Sequence, residues 1–376
     1  MSSSLVTTDR KKLIYGSGLR RLNHCQCRQN ADVANCKRYG HTNPRFVTTL
    51  VGYNTSMSEF DLIARYFTRA DRGHPTVLLG VGDDCALLRP AQRQQAISMD
   101  MLVEGRHFLP GTDPVALGHK CLAVNLSDLA AMGARPVGFT LALALPDIDE
   151  DWLQGFSTGL FALADRHACA LIGGDTTKGP RTICITVFGE LDTAGALLRS
   201  AARVGDDIWI SGTLGDARLA LAYRLGECAF DETSLALCAP RMDRPTPRNE
   251  LGMALVGVAH AAIDISDGLG GDLGHILKRS CVGATVDVDA LPAGPALANQ
   301  SAALRRAYCV AGGDDYELCF TAPPAHRQAV IDAAHRTQTR VTRVGHIDAL
   351  PGLRLTDHSG IDLNLTYSSF DHFTTP

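Results

Sequence analysis

Five short apolar segments of this chain each run into a turn that contains aspartate, a residue that can hold metal ions. The turns read Gly82-Asp83-Asp84, Ser98-Met99-Asp100, Gly173-Gly174-Asp175, Asp264-Ile265-Ser266-Asp267 and Gly312-Gly313-Asp314-Asp315. Ligands of α/β sheets bind at strand ends. Glycine there lets backbone amides approach a phosphate, and carboxylates bind hard cations through oxygen. The pattern therefore predicts a site for metal ions and phosphate groups.

A sixth aspartate, Asp128, has a different setting, inside an apolar helix. It lies one turn from Asn125 and among Leu122, Leu126 and Leu129. A buried carboxylate without a partner costs several kcal/mol, so a cation should face it. We expect Asp128 to join the strand-end aspartates in one multi-metal site.

Taken singly, each Gly-Asp turn is ordinary turn chemistry, and Asp267 could simply cap the helix that follows it. Six such acids with few neighbouring Lys or Arg residues would repel one another unless divalent ions or a metal–nucleotide complex neutralised them. Acids that hold Mg²⁺ near phosphates favour phosphoryl transfer. The sequence has no P-loop, protein-kinase, dinucleotide-binding or zincin motif, which excludes those classes.

Strands and helices alternate along the part of the chain that must position these acids. Apolar runs predict strands at 76–81, 96–99, 139–145, 170–172 and 183–191, then at 207–210, 261–265, 285–288, 316–321 and 341–347. Helices are predicted at 114–132, 152–166, 217–225, 251–260, 269–278 and 326–335. The first has Asp113 as N-cap, Pro114 in its first turn and Gly133 past its end. We predict an α/β fold (α+β) with halves at 57–195 and 196–376.

Residues 1–56 differ in charge from the rest of the chain. They hold nine basic against two acidic residues, a balance of +7, so the rest of a chain with total charge −4 carries −11. They show no secretory signal, and their cysteines fit no standard zinc spacing. The positive charge permits the interpretation of this segment as a nucleic-acid-binding arm. A helical pattern that begins with Ser58 and Phe60 indicates instead that the folded protein starts near Met57. We expect 1–56 to be disordered or an upstream extension of the reading frame.

The composition is typical of a soluble globular enzyme. Apolar residues make up 45% and charged residues 20%. No apolar run approaches the roughly 18 residues of a membrane span. The cysteines beyond residue 56 are scattered without a C-x-x-C pair, which predicts unpaired thiols in a reducing cytoplasm. We expect no membrane partner and no nucleic-acid partner.

The motifs together resemble one known family, the thiamine-monophosphate kinases, in the superfamily of aminoimidazole ribonucleotide synthetase and selenophosphate synthetase. In order they read Phe-Asp-Leu-Ile-Ala-Arg-Tyr-Phe, Gly-Val-Gly-Asp-Asp-Cys-Ala, Ala-Val-Asn-Leu-Ser-Asp-Leu-Ala-Ala-Met-Gly-Ala, Leu-Ile-Gly-Gly-Asp-Thr-Thr, Ile-Asp-Ile-Ser-Asp-Gly-Leu and Gly-Gly-Asp-Asp-Tyr-Glu-Leu. Single motifs recur across the superfamily, but the ordered set with its closing Phe-Asp-His-Phe is specific. The resemblance runs from Glu59 to the C-terminus, about 85% of the chain.

This resemblance implies an activity and an architecture. The activity is transfer of the γ-phosphate of ATP to thiamine monophosphate, giving thiamine diphosphate and ADP with the help of several Mg²⁺ ions. The architecture is a two-domain synthetase-like fold and a homodimer built through the N-terminal halves. Each N-terminal half is expected to form a β-rich sheet or barrel with helices and to bind ATP and Mg²⁺, and the α/β C-terminal half completes the site.

The resemblance also implies roles for individual residues. The implied Mg²⁺ ligands are Asp84, Ser98, Asp100, Asp128, Asp175, Asp264 and Asp267. The implied nucleotide contacts are Gly174, Asp175, Arg199 and Ser266, and the implied substrate contacts are His107, Asp314 and Phe370. Asp100 and Asp175 are expected to matter most electrostatically, and no side chain is expected to act as a covalent nucleophile.

Three positions depart from the family pattern. Met99 stands where the family has a hydroxyl residue, so only its backbone carbonyl could serve a metal. Asp314 replaces a glutamate and is one methylene shorter. Phe370 replaces tyrosine or tryptophan and keeps a ring face for stacking on the cationic thiazolium. These changes affect substrate contacts more than the class of reaction.

We expect direct in-line transfer, because the acceptor's phosphate oxygen is already ionised at neutral pH and needs no general base. Two alternatives stay open. One is a related ATP-dependent synthetase of the superfamily, although the reactive Cys or Sec beside a Lys that selenophosphate synthetase would require is missing from the early Gly-rich segment. The other is a non-catalytic nucleotide-binding dimer, which Met99 and Asp314 would favour.

Overall fold

The structure is a computed structural model that describes residues 59–69, 74–79, 81, 86–89, 93–228, 232–363 and 365. The predictions for residues 1–56, for Asp84 and for Phe370 lie outside the described residues. Within them, no helix is long and apolar enough to cross a membrane.

The first half of the described chain is built around a four-stranded sheet. Its elements are α1 (Glu59–Leu62) with a π-helical turn (Ile63–Phe67), β1 (Val77–Leu79), β2 (Leu87–Leu88), β3 (Gln95–Val103), α2 (Pro114–Ala131), β4 (Arg135–Leu145), α3 (Glu150–Arg166), β5 (Ala170–Lys178) and β6 (Thr182–Glu190). Strands β1 and β2 pair with each other, and the sheet has the order β3-β6-β4-β5. Only β4 and β5 run parallel. The sheet is open in the described chain, so β3 and β5 are its edges.

Helices α2 and α3 cover one face of this sheet. Leu122 of α2, Phe156 of α3 and Phe139 and Ile185 of the sheet are fully buried together. The two helices approach closely at Gly159, where a Cβ atom would lie 1.8 Å from the carbonyl oxygen of Val115. The opposite face of the sheet has no helix over it among the described residues.

The second half contains a six-stranded mixed sheet. Its elements are β7 (Asp207–Ser211), α4 (Asp216–Arg224), α5 (Glu232–Asp243), α6 (Asn249–Leu255), β8 (Ala261–Asp264), α7 (Leu269–Ser280), β9 (Gly283–Asp287), α8 (Ala302–Ala311), β10 (Leu318–Ala322), α9 (Arg327–Arg336), β11 (Val341–Asp348) and β12 (Gly352–Thr356). The strand order is β12-β9-β11-β7-β10-β8, and only the β12–β9 pair is parallel. The predicted α/β class is confirmed.

Local signals placed some elements well and others poorly. The helix predicted at 114–132 is α2, and the Asp113 side chain caps it by accepting a hydrogen bond from the Ala116 amide at 3.0 Å. The helix predicted at 251–260 ends at Leu255, because the chain turns at Gly257 with a φ of +77°.

The sequence pattern predicted that these aspartates follow strands, and for three of them this prediction is wrong. Asp100 and Asp175 lie inside β3 and β5, since pairing with neighbouring strands extends both strands past the turn signals. Asp314 follows helix α8, which Ser301 caps by accepting from the Leu304 amide. Only Asp264 ends a strand among these described positions.

Candidate functional site

A cavity of about 630 Å³ collects most of the described candidate residues. Its lining includes Asp100, His107, Asp128, Asp264, Ser266, Asp267 and Asp314. They come from β3 and the turn after it, from α2, from the end of β8 and from the loops before α7 and β10. The volume is in the range of small-molecule sites. Residues far apart in sequence therefore line one substrate-sized cavity.

Helix α2 links this cavity to strands of both halves through buried polar side chains. Asn125 accepts a hydrogen bond from the Asp100 amide at 3.0 Å, and Ser127 donates to Asp264 at 2.8 Å. Ser98 donates to the carboxylate of Asp128. Two polar residues of an otherwise apolar helix thus hold Asp100 and Asp264, and Ser98 of β3 holds Asp128 of the helix.

The carboxyl groups of the cavity are crowded and partly withdrawn from water, which shifts their titration. Burial, with the charges of Asp128 and Asp267 adding to it, raises the pKa of Asp100 to about 6. Burial and the Asp128 charge raise the pKa of Asp264 to about 8. Burial also raises the pKa of Asp128, although the Ser98 hydrogen bond and the Arg199 charge oppose this. A cation bound here would relieve the repulsion.

Asp272 belongs to the same group of acids and was not singled out in the sequence. It accepts hydrogen bonds at 3.1 Å from the amides of Ser266 and Asp267, and so it holds the turn that carries both residues. Burial and the Asp267 charge raise its pKa to about 7. Its place in the first turn of α7, six residues after Ser266 and five after Asp267, was the available signal.

The donor set fits Mg²⁺ in kind, because it offers hard carboxylate and hydroxyl oxygens. Among the described residues, no three carboxyl, thiol or imidazole side chains already converge as a metal cage. Mg²⁺ is commonly held by one or two carboxylates together with substrate phosphates and water. Asp100, Asp128, Asp264 and Asp267 are therefore suited to hold ions that arrive with a nucleotide.

The raised pKa values predict that the ligand-free protein loses stability between pH 6.5 and 8. In this window the folded state retains protons on Asp264 and Asp272 that the unfolded chain has already released, so a rise in pH lowers the free energy of unfolding. Burial lowers the pKa of His119 and His167, so the unfolded chain loses their remaining protons in the lower part of this window, which opposes the fall by a smaller amount.

We expect a fall in Tm of about 5 °C across this window. Differential scanning fluorimetry without divalent ions measures it, and Mg²⁺ with a non-hydrolysable ATP analogue should reverse it. Asp264→Asn should flatten the profile. A wild-type Tm that stays constant from pH 6.5 to 8 would contradict the assignment.

Two predicted site residues, Gly174 and Asp175, lie on β5, away from the cavity. Strand register places Asp175 beside Ala142, Cys184 and Met101, whereas Asp100 shares its row with Ile185 and Leu141. Asp175 is thus on the opposite face from Asp100 and three strand spacings away, about 14 Å. The adjacent Gly174 is fixed by packing, since a Cβ there would lie 1.9 Å from the carbonyl oxygen of Leu141. Within a single chain, Asp175 is not among the residues that line the cavity.

The remaining candidates have distinct positions. Arg199 is exposed, and its charge opposes the rise in the pKa of both Asp128 and Asp272, which places it near the acids. Met99 is 60% exposed on the sheet face away from Asp100. His107 lines the cavity, and its Nδ1 accepts a hydrogen bond from the Val103 amide at 3.0 Å.

Comparisons with known proteins match most of the chain to one family. The models of the AIR synthase related protein, N-terminal domain, and of its C-terminal domain match residues 82–191 and 203–358. The chain is 47% identical to the thiamine-monophosphate kinase of Salmonella typhimurium over 324 residues, which cover 85% of this chain and 99% of that protein.

Solved structures give the same picture. The thiamine-monophosphate kinase from Stenotrophomonas maltophilia K279a superposes with a TM-score of 0.71 at 47% identity, covering 78% of this chain and 94% of that one. A structure described as AaThiL complexed with AMPPCP and TMP superposes with a TM-score of 0.66 at 29% identity, covering 78% and 92%.

Proposed function

Because the chain belongs to the thiamine-monophosphate kinase family, we propose that it transfers the γ-phosphate of ATP to thiamine monophosphate. The family membership confirms the resemblance drawn from the motifs. The observation that carries the proposal is the convergence of Asp100, Asp128, Asp264 and Asp267 on one substrate-sized cavity. A relative with 29% identity has been solved with an ATP analogue and TMP together.

The proposed reaction is direct in-line transfer. Mg²⁺ would be held by Asp100, Asp128, Asp264 and Asp267, with Ser98 as a further oxygen ligand. When bound there, it would neutralise charge on the phosphate oxygens. The protein's own task is to position the two phosphates, because the attacking oxygen of the acceptor is already ionised. Ser266 and Arg199 are proposed to contact the nucleotide, and His107 and Asp314 the acceptor. Asp84 and Phe370 keep their implied roles as metal ligand and ring contact.

We further propose that the active form is a homodimer joined through the N-terminal halves. The open face of the four-stranded sheet exposes Ile97, Met99 and Met101, which are 60%, 60% and 53% exposed. A contiguous apolar stripe on an uncovered face is typical of an interaction surface. Asp175 and Gly174 are also exposed on β5. Pairing through this sheet could bring Asp175 of one copy to the cavity of the other.

A chain that begins at Met57 should retain activity and stability if residues 57–195 and 196–376 form the catalytic halves. The described helices and strands all begin at or after Glu59. We expect kcat, KM and Tm of the shortened protein to match those of the full chain. A loss of activity or a lower Tm on removal of residues 1–56 would assign this basic segment a role.

We place the enzyme in the cytoplasm, where the free thiols of the described cysteines stay reduced.

Coupled measurement of ADP release tests the proposed activity. Thiamine monophosphate should stimulate ADP release, whereas thiamine and aminoimidazole ribonucleotide precursors should not. Stimulation by an amide precursor instead would indicate a related synthetase. ATP binding without ADP release for any acceptor would favour the non-catalytic nucleotide-binding dimer.

A further inference from the structure

Lys120 is a buried cation that the mechanism above does not use. It lies in α2 with only 5% of its surface exposed. Its ammonium group donates to the carbonyl oxygen of Met242 at 3.0 Å and forms an ion pair with Asp314. A buried ammonium is costly unless its hydrogen bonds are satisfied, so these two contacts fix the side chain firmly.

The partner of Lys120 sits in a strained turn. Asp314 and Tyr316 both have positive φ angles, +70° and +50°, which residues other than glycine seldom adopt. Backbone hydrogen bonds of 2.8 Å join their amides to the carbonyl oxygens of Ser266 and Ile265. The Tyr316 side chain is hydrogen-bonded to the Asp314 carboxylate. Lys120 therefore ties this turn to helix α2.

The Lys120 ammonium lies at a different level of the cavity-lining face of α2 from Asp128. Lys120, Val124 and Asp128 all line the cavity and recur every four residues, so they share one face of α2. Lys120 and Asp128 are eight residues apart, about 12 Å along the helix axis. Thiamine monophosphate carries its cationic ring away from its phosphate. The end of the cavity at Lys120 thus suits the ring when the phosphate lies near Asp128.

We propose that Lys120 is the positioning residue that orients Asp314 for recognition of the acceptor's cationic ring. The inference rests on the proposed function and adds the residue that sets acceptor affinity. By holding the carboxylate and the strained turn in place, Lys120 acts on the acceptor through Asp314 and takes no part in phosphoryl transfer. It should therefore affect acceptor binding, with ATP binding and the chemical step left intact.

A double-mutant cycle in steady-state kinetics tests this inference. Lys120→Met should raise the KM for thiamine monophosphate about tenfold, with kcat and the KM for ATP within about twofold of wild type. Asp314→Ala should raise the same KM at least as far. The double variant should match Asp314→Ala alone, because Lys120 then has no carboxylate to orient. Lys278→Met, at an exposed position on α7, is the matched control and should match wild type.

Other outcomes overturn the inference. They are an unchanged acceptor KM in Lys120→Met, multiplication of the two single effects in the double variant, and a tenfold loss of kcat at constant KM. If Lys120→Met alone does not fold, the double variant compared with Asp314→Ala decides, since it leaves neither buried charge without its partner. Wild-type protein that fails to phosphorylate thiamine monophosphate would contradict the proposed function instead.

Discussion

Replacing Asp100 by asparagine should lower kcat by at least about 10²-fold, the range that one preorganised charge-stabilising group contributes. Asp100 lines the cavity together with Asp128 and Asp267, and burial, with the charges of these two residues adding to it, raises its pKa to about 6. Asparagine keeps the shape and loses the charge that would hold Mg²⁺ on the nucleotide. The same substitution removes repulsion, so the Tm of the ligand-free variant should equal or exceed that of wild type.

Steady-state turnover and thermal unfolding of the same preparations separate a catalytic loss from a folding defect. Asp332→Asn, at an exposed position on α9, is the matched control and should leave both quantities unchanged. Turnover within threefold of wild type in Asp100→Asn would contradict a metal-binding role. A trapped covalent phosphoenzyme would contradict direct transfer.

Two inactive variants should restore activity when they are combined in one dimer. Asp175→Asn is expected to be as inactive as Asp100→Asn, yet within one chain these aspartates lie on opposite faces and edges of the sheet. If each site takes Asp100 from one copy and Asp175 from the other, a hybrid of the two variants has one intact site. Its turnover per dimer should be about half that of wild type in a twofold-symmetric assembly.

Coexpression with two different affinity tags isolates such hybrids. The matched control pairs wild type with the double variant Asp100→Asn/Asp175→Asn, which places one lesion in each shared site and should be inactive. The reverse pattern, an inactive first hybrid and a half-active control, would place both aspartates in the site of a single chain. Isolation of the protein as a monomer at assay concentrations, with full activity, would exclude the shared site altogether.

The sequence determined the class of chemistry and much of the framework of the fold. Aspartates in glycine-rich turns, with no P-loop or kinase motif, indicated metal-assisted phosphoryl transfer. Capping by Asp113 and the polar residues inside α2 were readable because helix ends and amphipathic spacing depend on neighbours within a few residues. Local rules also placed Asp128 correctly in a helix. They failed where pairing overrode them, as in the strands that continue through Asp100 and Asp175.

Only the tertiary structure decided which of these residues meet. Lys120 and Asp314 are 194 positions apart, and their ion pair follows from how α2 packs beside the turn before β10. Strand order and register together separate Asp175 from Asp100, although the two motifs look alike in sequence. The pKa values of Asp264 and Asp272 are raised by burial and then by the charges of Asp128 and Asp267 respectively. Such long-range contacts depend on the packing of the whole chain, and spacing along the sequence carries no record of them.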